Sequence, residues 1–196
     1  MESQKAVTIE EISDPNELTD DKAEQVIELI LDIFRGNPEF ERFLDSARSR
    51  YGTPDKLKGR YMRQYSGTVF TATQVTNQEI VGVLCATLGK SEVLNGMPEM
   101  EKFGLDRLLY VDYGSVKEPS RGQGILGSLF EKFLDRARQV AATQPDGQIN
   151  VFLNLHPQNK IEIIQPIFKR RGFAPVGEIG EVRKGLLVMH KVIGHL

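Results

Sequence analysis

The chain has 196 residues, 40% hydrophobic and 27% charged, a composition that fits one soluble globular domain over residues 1–196. Its formal charge of −2 gives no basic field to draw a nucleic-acid backbone or an anionic membrane surface. A single cysteine excludes an internal disulfide, and the longest apolar run, IVGVLCATLG, is about half of a membrane span.

The amino terminus, MESQKAVTIEEISD, is charged rather than signal-like, so a cytoplasmic protein is expected. Residues 19–36, TDDKAEQVIELILDIFRG, predict a helix: Ala23, Val26, Ile27, Ile30, Ile33 and Phe34 recur at helical spacing between acidic residues and Gly36. NPEFERFLDSARSRYG predicts a second, with Asn37 as cap, Pro38 in the first turn and a stripe of Phe40, Phe43, Leu44, Ala47 and Tyr51. TPDKLKGRYMRQYSG repeats the device with Thr53 and Pro54. Three short helices are therefore expected before the first strand.

From residue 68 the period changes, and TVFTATQV, the turn TNQE and IVGVLCATL read as a hairpin with Cys85 in its core. The polar stretch GKSEVLNGMPEMEKFGLD reads as a long connection. RLLYVDYGSV is then a strand, and RGQGILGSLFEKFLDRARQVAA a helix with Ile125, Leu126, Leu129, Phe130, Phe133, Ala137 and Val140 inward. INVFLNL is a buried strand, NKIEIIQPIFKRRG a shorter helix containing Pro166, and FAPVGEIG with GLLVMHKVI a closing strand pair. The alternation after residue 107 predicts an α/β fold: a parallel strand pair with a helical crossover in a mixed central sheet, flanked by helices.

RGQGILG, residues 121–127, satisfies the glycine spacing of a dinucleotide site through Gly122, Gly124 and Gly127. Such a site needs the strand to run almost directly into the first glycine, and an acid at the end of the next strand. Here KEPSR separates Val116 from Gly122, and the next strand ends at LNLHPQ, with His156 where the acid would stand. A phosphate-binding lysine loop fails as well, because no Lys-Ser or Lys-Thr pair follows Gly127. Two readings stay open. Glycines at a helix start leave backbone N–H groups uncovered for an anion such as a pyrophosphate, with Arg121 adding charge; or the stretch is only a tight loop with a good helix start. The basic clusters KRRG and RFLDSARSR read as solvated helix faces.

VKEPSRGQGILGSLFEKFL resembles the acyl-CoA motif of the Gcn5-related N-acetyltransferase (GNAT) superfamily: an apolar strand end, Arg or Gln five positions later, two residues, Gly, one residue, and Gly or Ala. Val116, Arg121 and Gly124 match, whereas the final small position is Leu126, with Gly127 one place later. FKRRGF and LLVMHKVI resemble the end of the family's last helix and its closing strand; residues 1–67 match only in being helical.

The resemblance implies a GNAT-like acyl-CoA N-acyltransferase fold and direct transfer of an acyl group, acetyl in the first instance, from acyl-CoA to an amine on a small molecule or protein. No metal-ligand spacing such as paired Cys or H-E-x-x-H is present, so no metal is expected, and the charge gives no reason to expect a nucleic-acid or membrane partner; a homodimer is compatible with the sequence. Ser115, Val116 and Lys117 would offer backbone groups to the pantetheine and thioester where the central strand splays from its neighbour. Arg121, Gly122, Gln123, Gly124, Ile125, Leu126 and Gly127 would hold the pyrophosphate, and Asn159 resembles an asparagine on the pantetheine arm. Asp112, four positions before the strand end, matches a frequent general base, with His156 the competitor; Asn154 is aligned but cannot serve. The usual general acid, a tyrosine four residues before the glycine of GF, is Phe168 here, which leaves Tyr113, Tyr110 or no acid. A catalytically silent acyl-CoA-binding or sensing module of the same fold is the alternative. Glu92, Glu99 and Glu101 could attract a cationic acceptor.

Overall fold

The structure is a computed structural model that describes residues 6–14, 16–35, 38–59, 67–88, 108–155, 161–178 and 187–194. The strands are β1 (Val7–Ile12), β2 (Thr68–Gln74), β3 (Ile80–Leu88), β4 (Leu108–Val116), β5 (Gln148–Leu155), β6 (Ala174–Glu178) and β7 (Leu187–Gly194). The helices are α1 (Asp20–Asp32), α2 (Pro38–Tyr51), α3 (Pro54–Lys58), α4 (Ile125–Ala142) and α5 (Ile161–Arg170). The strands form one mixed sheet in the order β1-β2-β3-β4-β5-β7-β6, parallel between β4 and β5. Among the described residues, no helix is long and apolar enough to cross a membrane.

The chain divides into two compact units, the first being Met1–Ala86 with Tyr113–Leu134. Here β2 pairs with β3 as an antiparallel hairpin, and both strands are buried on each face. Side chains alternate across a strand. Val69 thus joins Val83, Cys85 and the buried residues of α1, while Phe70 meets Phe133 of α4 edge-on at 6.2 Å. The helix α1 buries Leu29 and Leu31 besides the expected Ala23, Val26, Ile27 and Ile30, because α2 and α3 pack on it as well as the sheet. Ile33 and Phe34 fall just beyond its end and are half-buried. Thr53 caps α3 as expected, its hydroxyl accepting from the Lys56 N–H at 3.4 Å.

One expectation fails at the start of the chain, where a strand precedes the helices. β1 pairs antiparallel with β2 from Val7↔Gln74 to Ile12↔Val69. Its apolar alternation lasts only from Val7 to Ile9 before Glu10 and Glu11 interrupt it, the charged composition of an edge strand. Glu10 is engaged by Lys22 of α1 at 3.0 Å.

Gly82 sets the seat of α4 in this unit. It lies opposite Ala72, and the two small residues leave a trough for the first turns of the helix. A Cβ at Gly82 would stand 2.9 Å from Ile125 Cγ2, 3.2 Å from Leu129 Cδ1 and 3.3 Å from the Ala72 Cβ. Gly82→Ala is expected to destabilise the protein by about 1–3 kcal/mol through overpacking. Thermal denaturation checks this: an unchanged Tm would mean that the helix start is free to shift.

The second unit is Thr87–Asp112 with Asp135–Leu196. β4 runs parallel to β5 from Leu108↔Asn150 to Val111↔Leu153, and β5 pairs along its whole length with β7, from Gln148↔Gly194 to Leu155↔Leu187. β6 adds outside β7. The helix α5 ends in a Schellman motif: Phe173 N–H donates to the Phe168 carbonyl at 3.1 Å, Gly172 N–H to that of Lys169 at 2.9 Å, and Gly172 has φ +83°. Lys191 of β7 donates to the Arg171 carbonyl at 2.6 Å, placing a cation at the negative end of the helix.

Candidate functional site

The candidate site begins where β4 leaves the sheet. Two links hold the departing chain against β3: the Lys117 N–H donates to the Val81 carbonyl at 2.8 Å, and the Lys117 ammonium pairs with Glu79. Pro119 then initiates a single 3-10 turn, Glu118–Ser120, closed by the Ser120 N–H on the Lys117 carbonyl at 2.9 Å. Ser120 is buried. Arg121 follows in extended conformation and folds back, its Nε donating to the Val116 carbonyl at 2.9 Å. This bond gives the five-residue spacing between Val116 and Arg121 a physical role: it is the span that the guanidinium closes.

Gly122 and Gly124 both have φ +79°, a backbone conformation costly for any residue with a Cβ. Among the described residues, apart from its two chain neighbours, nothing lies within 4 Å of where a Cβ would stand at either, so the conformation and not crowding demands glycine. The Gly124 carbonyl accepts the first helical bond, from the Ser128 N–H at 3.0 Å. The N–H groups of Ile125, Leu126 and Gly127 therefore precede the first intrahelical bond of α4, and Gly124 offers no side chain to cap them. An 18-residue helix places its positive dipole end at the same point. The arrangement can bind an anion with main-chain donors, with the exposed Arg121 beside it.

Val116, Lys117 and Arg121 to Gly127 thus come together in one turn. Two of the expected groups are differently used. The Lys117 N–H is spent on Val81 and the Val116 carbonyl on Arg121. Leu126, expected inward on α4, is 41% exposed; the inward set is Ile125, Leu129, Phe130, Phe133, Leu134, Ala137 and Ala141, and Val140 is half-buried. Leu126 projects instead over β4, its Cδ1 lying 3.2 Å from where a Cβ on Gly114 would stand. Sequence reasoning passed over both Gly82 and Gly114. The available signal was a glycine inside a strand, which marks close approach of a neighbour.

Ser115 is buried at the end of β4. Asp112 belongs to the second unit and is half-buried, its Oδ2 shut off from solvent. Tyr110 is 2% exposed and part of the core. Tyr113 stacks edge-on against Tyr51 at 5.4 Å and Phe34 at 6.0 Å, its hydroxyl 3.3 Å from that of Tyr51. Phe168 packs edge-on against Phe173 at 5.9 Å, the apolar contact that accompanies the Schellman motif. His156, Asn159, Asn37 and the connection carrying Glu92, Glu99 and Glu101 lie outside the described residues.

No family model matches the sequence, and no curated protein does. Solved structures match over nearly the whole chain. A histone acetyltransferase HPA2 and related acetyltransferase from Corynebacterium glutamicum is similar at 18% identity and TM-score 0.63, covering 94% of this chain and 95% of its own. An acyl-CoA N-acyltransferase from Pseudomonas aeruginosa is similar at 13% identity and TM-score 0.62, covering 95% and 99%. The paia N-acetyltransferase of Thermoplasma acidophilum, solved in complex with coenzyme A, is similar at 14% identity and TM-score 0.59, covering 94% and 98%. The fold of this chain is that of the Gcn5-related N-acetyltransferases.

Proposed function

We propose that the protein is an acyl-CoA-dependent N-acyltransferase, with acetyl-CoA as donor and a primary amine of a small molecule or protein as acceptor. The observation that carries this reading is the start of α4: three main-chain donors stand behind two glycines at φ +79°, with Arg121 folded beside them. A pyrophosphate fits that donor set in charge and in reach. The coenzyme A bound by the similar Thermoplasma enzyme supports the choice of ligand.

In the reaction the neutral amine nitrogen attacks the thioester carbonyl carbon, the C–N bond forms, the C–S bond breaks, coenzyme A leaves as a thiolate, and the proton lost from nitrogen as the amide forms passes to solvent or to that thiolate. An alkyl ammonium with a pKa near ~10.4 is neutral in only roughly one molecule per thousand at pH 7, so a base assists. We assign that role to Asp112, with His156 as the competing candidate. A thiol with a pKa near ~8.5 leaves tolerably as an anion, so Phe168 in place of a proton donor is compatible with turnover.

A second reading, an acyl-CoA-binding module without turnover, draws on the same Phe168, whose ring packs in the cap of α5 without a hydroxyl to donate. Measuring CoA release by the purified protein across a panel of amines separates the two. Release with at least one amine is the expected result. Binding of acyl-CoA by calorimetry without release would establish the second reading, and no binding at all would overturn both.

A further inference from the structure

We infer that Glu79, in the turn of the β2–β3 hairpin, is a positioning residue for the anion-binding turn at the start of α4 and acts on it through Lys117; this rests on the reading of that turn as a pyrophosphate cradle. The beginning of β3 holds both ends of the turn. Upstream, Lys117 is tied to it twice, by its N–H on the Val81 carbonyl at 2.8 Å and by its ammonium on Glu79 Oε1 at 2.5 Å. Downstream, Ile125 and Leu129 of α4 lie over Gly82. Between these points the chain closes on itself, the Ser120 N–H on the Lys117 carbonyl and the Arg121 Nε on the Val116 carbonyl. Residues 79–82 thus set where the N–H groups of residues 125–127 stand relative to the chain leaving β4.

Glu79 is itself fixed from both sides. Its Oε1 takes Lys117, and its Oε2 accepts from the Asn77 side-chain amide at 3.2 Å. Its N–H donates to Asn77 Oδ1 at 3.2 Å, and its carbonyl accepts from the Gln74 N–H at 2.8 Å. Between Asn77 and Glu79 stands Gln78 at φ +58°, the one non-glycine among the described residues in the left-handed region, a conformation that the bonds around it maintain. A glycine turn would join β2 to β3 without that strain, but would hold no carboxylate on Lys117. The charge of Glu79 has the wrong sign for a ligand contact, since a carboxylate repels an anion and its pairing engages the ammonium that could attract one. The pair therefore serves position and not attraction. Its side chains are 32% and 40% exposed, so its effect is modest and sensitive to salt.

Calorimetry of CoA and ADP, which share the pyrophosphate, tests this on the full chain. Glu79→Gln is expected to weaken both probes alike by about threefold, within the worth of a part-exposed ion pair. Removing a negative charge would by itself tighten anion binding, so a loss has to come through the placement of the turn. Lys117→Met should match it, and the double variant should bind no worse than either single variant, because the two side chains act as a unit. Lys117→Arg, which keeps the pair, should stay within about twofold of wild type. In about 1 M salt, where the screening length falls to about 3 Å, wild type and Glu79→Gln should converge. Tighter binding by Glu79→Gln would overturn the inference, making Lys117 a direct phosphate contact that Glu79 restrains. Unchanged affinity with a lowered Tm would overturn it too, leaving the pair a support of the hairpin alone. Both of those outcomes keep the cradle reading, whereas wild-type protein that binds neither probe would overturn that reading and the inference with it.

Discussion

Gly124→Glu should abolish acyl-CoA binding, with an affinity loss above about 100-fold, or about 2.7 kcal/mol. Two effects combine at that position. The φ of +79° strains any side chain, and the open space around the glycine Cα would let a carboxylate stand where the pyrophosphate is expected. Strain alone is of order 1–2 kcal/mol and acts on stability, whereas the charge acts on the ligand. Gly124→Ala separates them: it should lower Tm about as much as the glutamate does while retaining part of the affinity. Calorimetry and thermal denaturation on the three proteins check the prediction. If alanine and glutamate are equally harmful to binding, backbone geometry and not electrostatics governs the turn. Unchanged affinity in both would make the turn purely structural.

Asp112→Asn should lower turnover at saturating acyl-CoA by about 10²- to 10⁴-fold, the usual contribution of a general base, with cofactor affinity nearly intact. The replacement keeps shape and removes the proton-accepting charge. The sign of the pH effect follows from the amine. As pH rises toward ~10.4 the free-base fraction of the acceptor grows, so the deficit of the variant should shrink. Steady-state rates from neutral to alkaline pH give this directly. Equal turnover in the two proteins would shift the assignment to His156 or solvent.

Much of this was legible in the sequence because the decisive patterns are local. The β2–β3 hairpin, the α4 crossover and the closing strands each announce themselves within a dozen residues, and Gly122 and Gly124 adopt the positive φ that their place suggested. What escaped depends on partners distant in the chain. β1 is recognised only by pairing with β2, some sixty residues on, and its two glutamates hide the alternation. Leu29 and Leu31 lie outside the stripe expected for α1, and the helices that cover them cannot be inferred from its own period. The orientation of Leu126 required Gly114, twelve residues earlier on another element, and the place of α4 required Gly82 opposite Ala72. At Phe168 the missing hydroxyl was visible at once. Its packing role was not, because the Schellman motif is a property of the hydrogen bonds around Gly172.

The identity of residue 124 also carries a thermodynamic trade. At an ordinary helix start serine or asparagine turns its own oxygen onto such N–H groups, but the φ of +79° at residue 124 disfavours any side chain there, so the position selects a residue that cannot cap itself. A self-capped helix would compete with every incoming anion for the same donors. With glycine, the donors are satisfied by solvent until a ligand arrives, so binding should add protection from hydrogen exchange at the amides of residues 125–127. The donors left uncapped in the free protein become part of the affinity in the bound one.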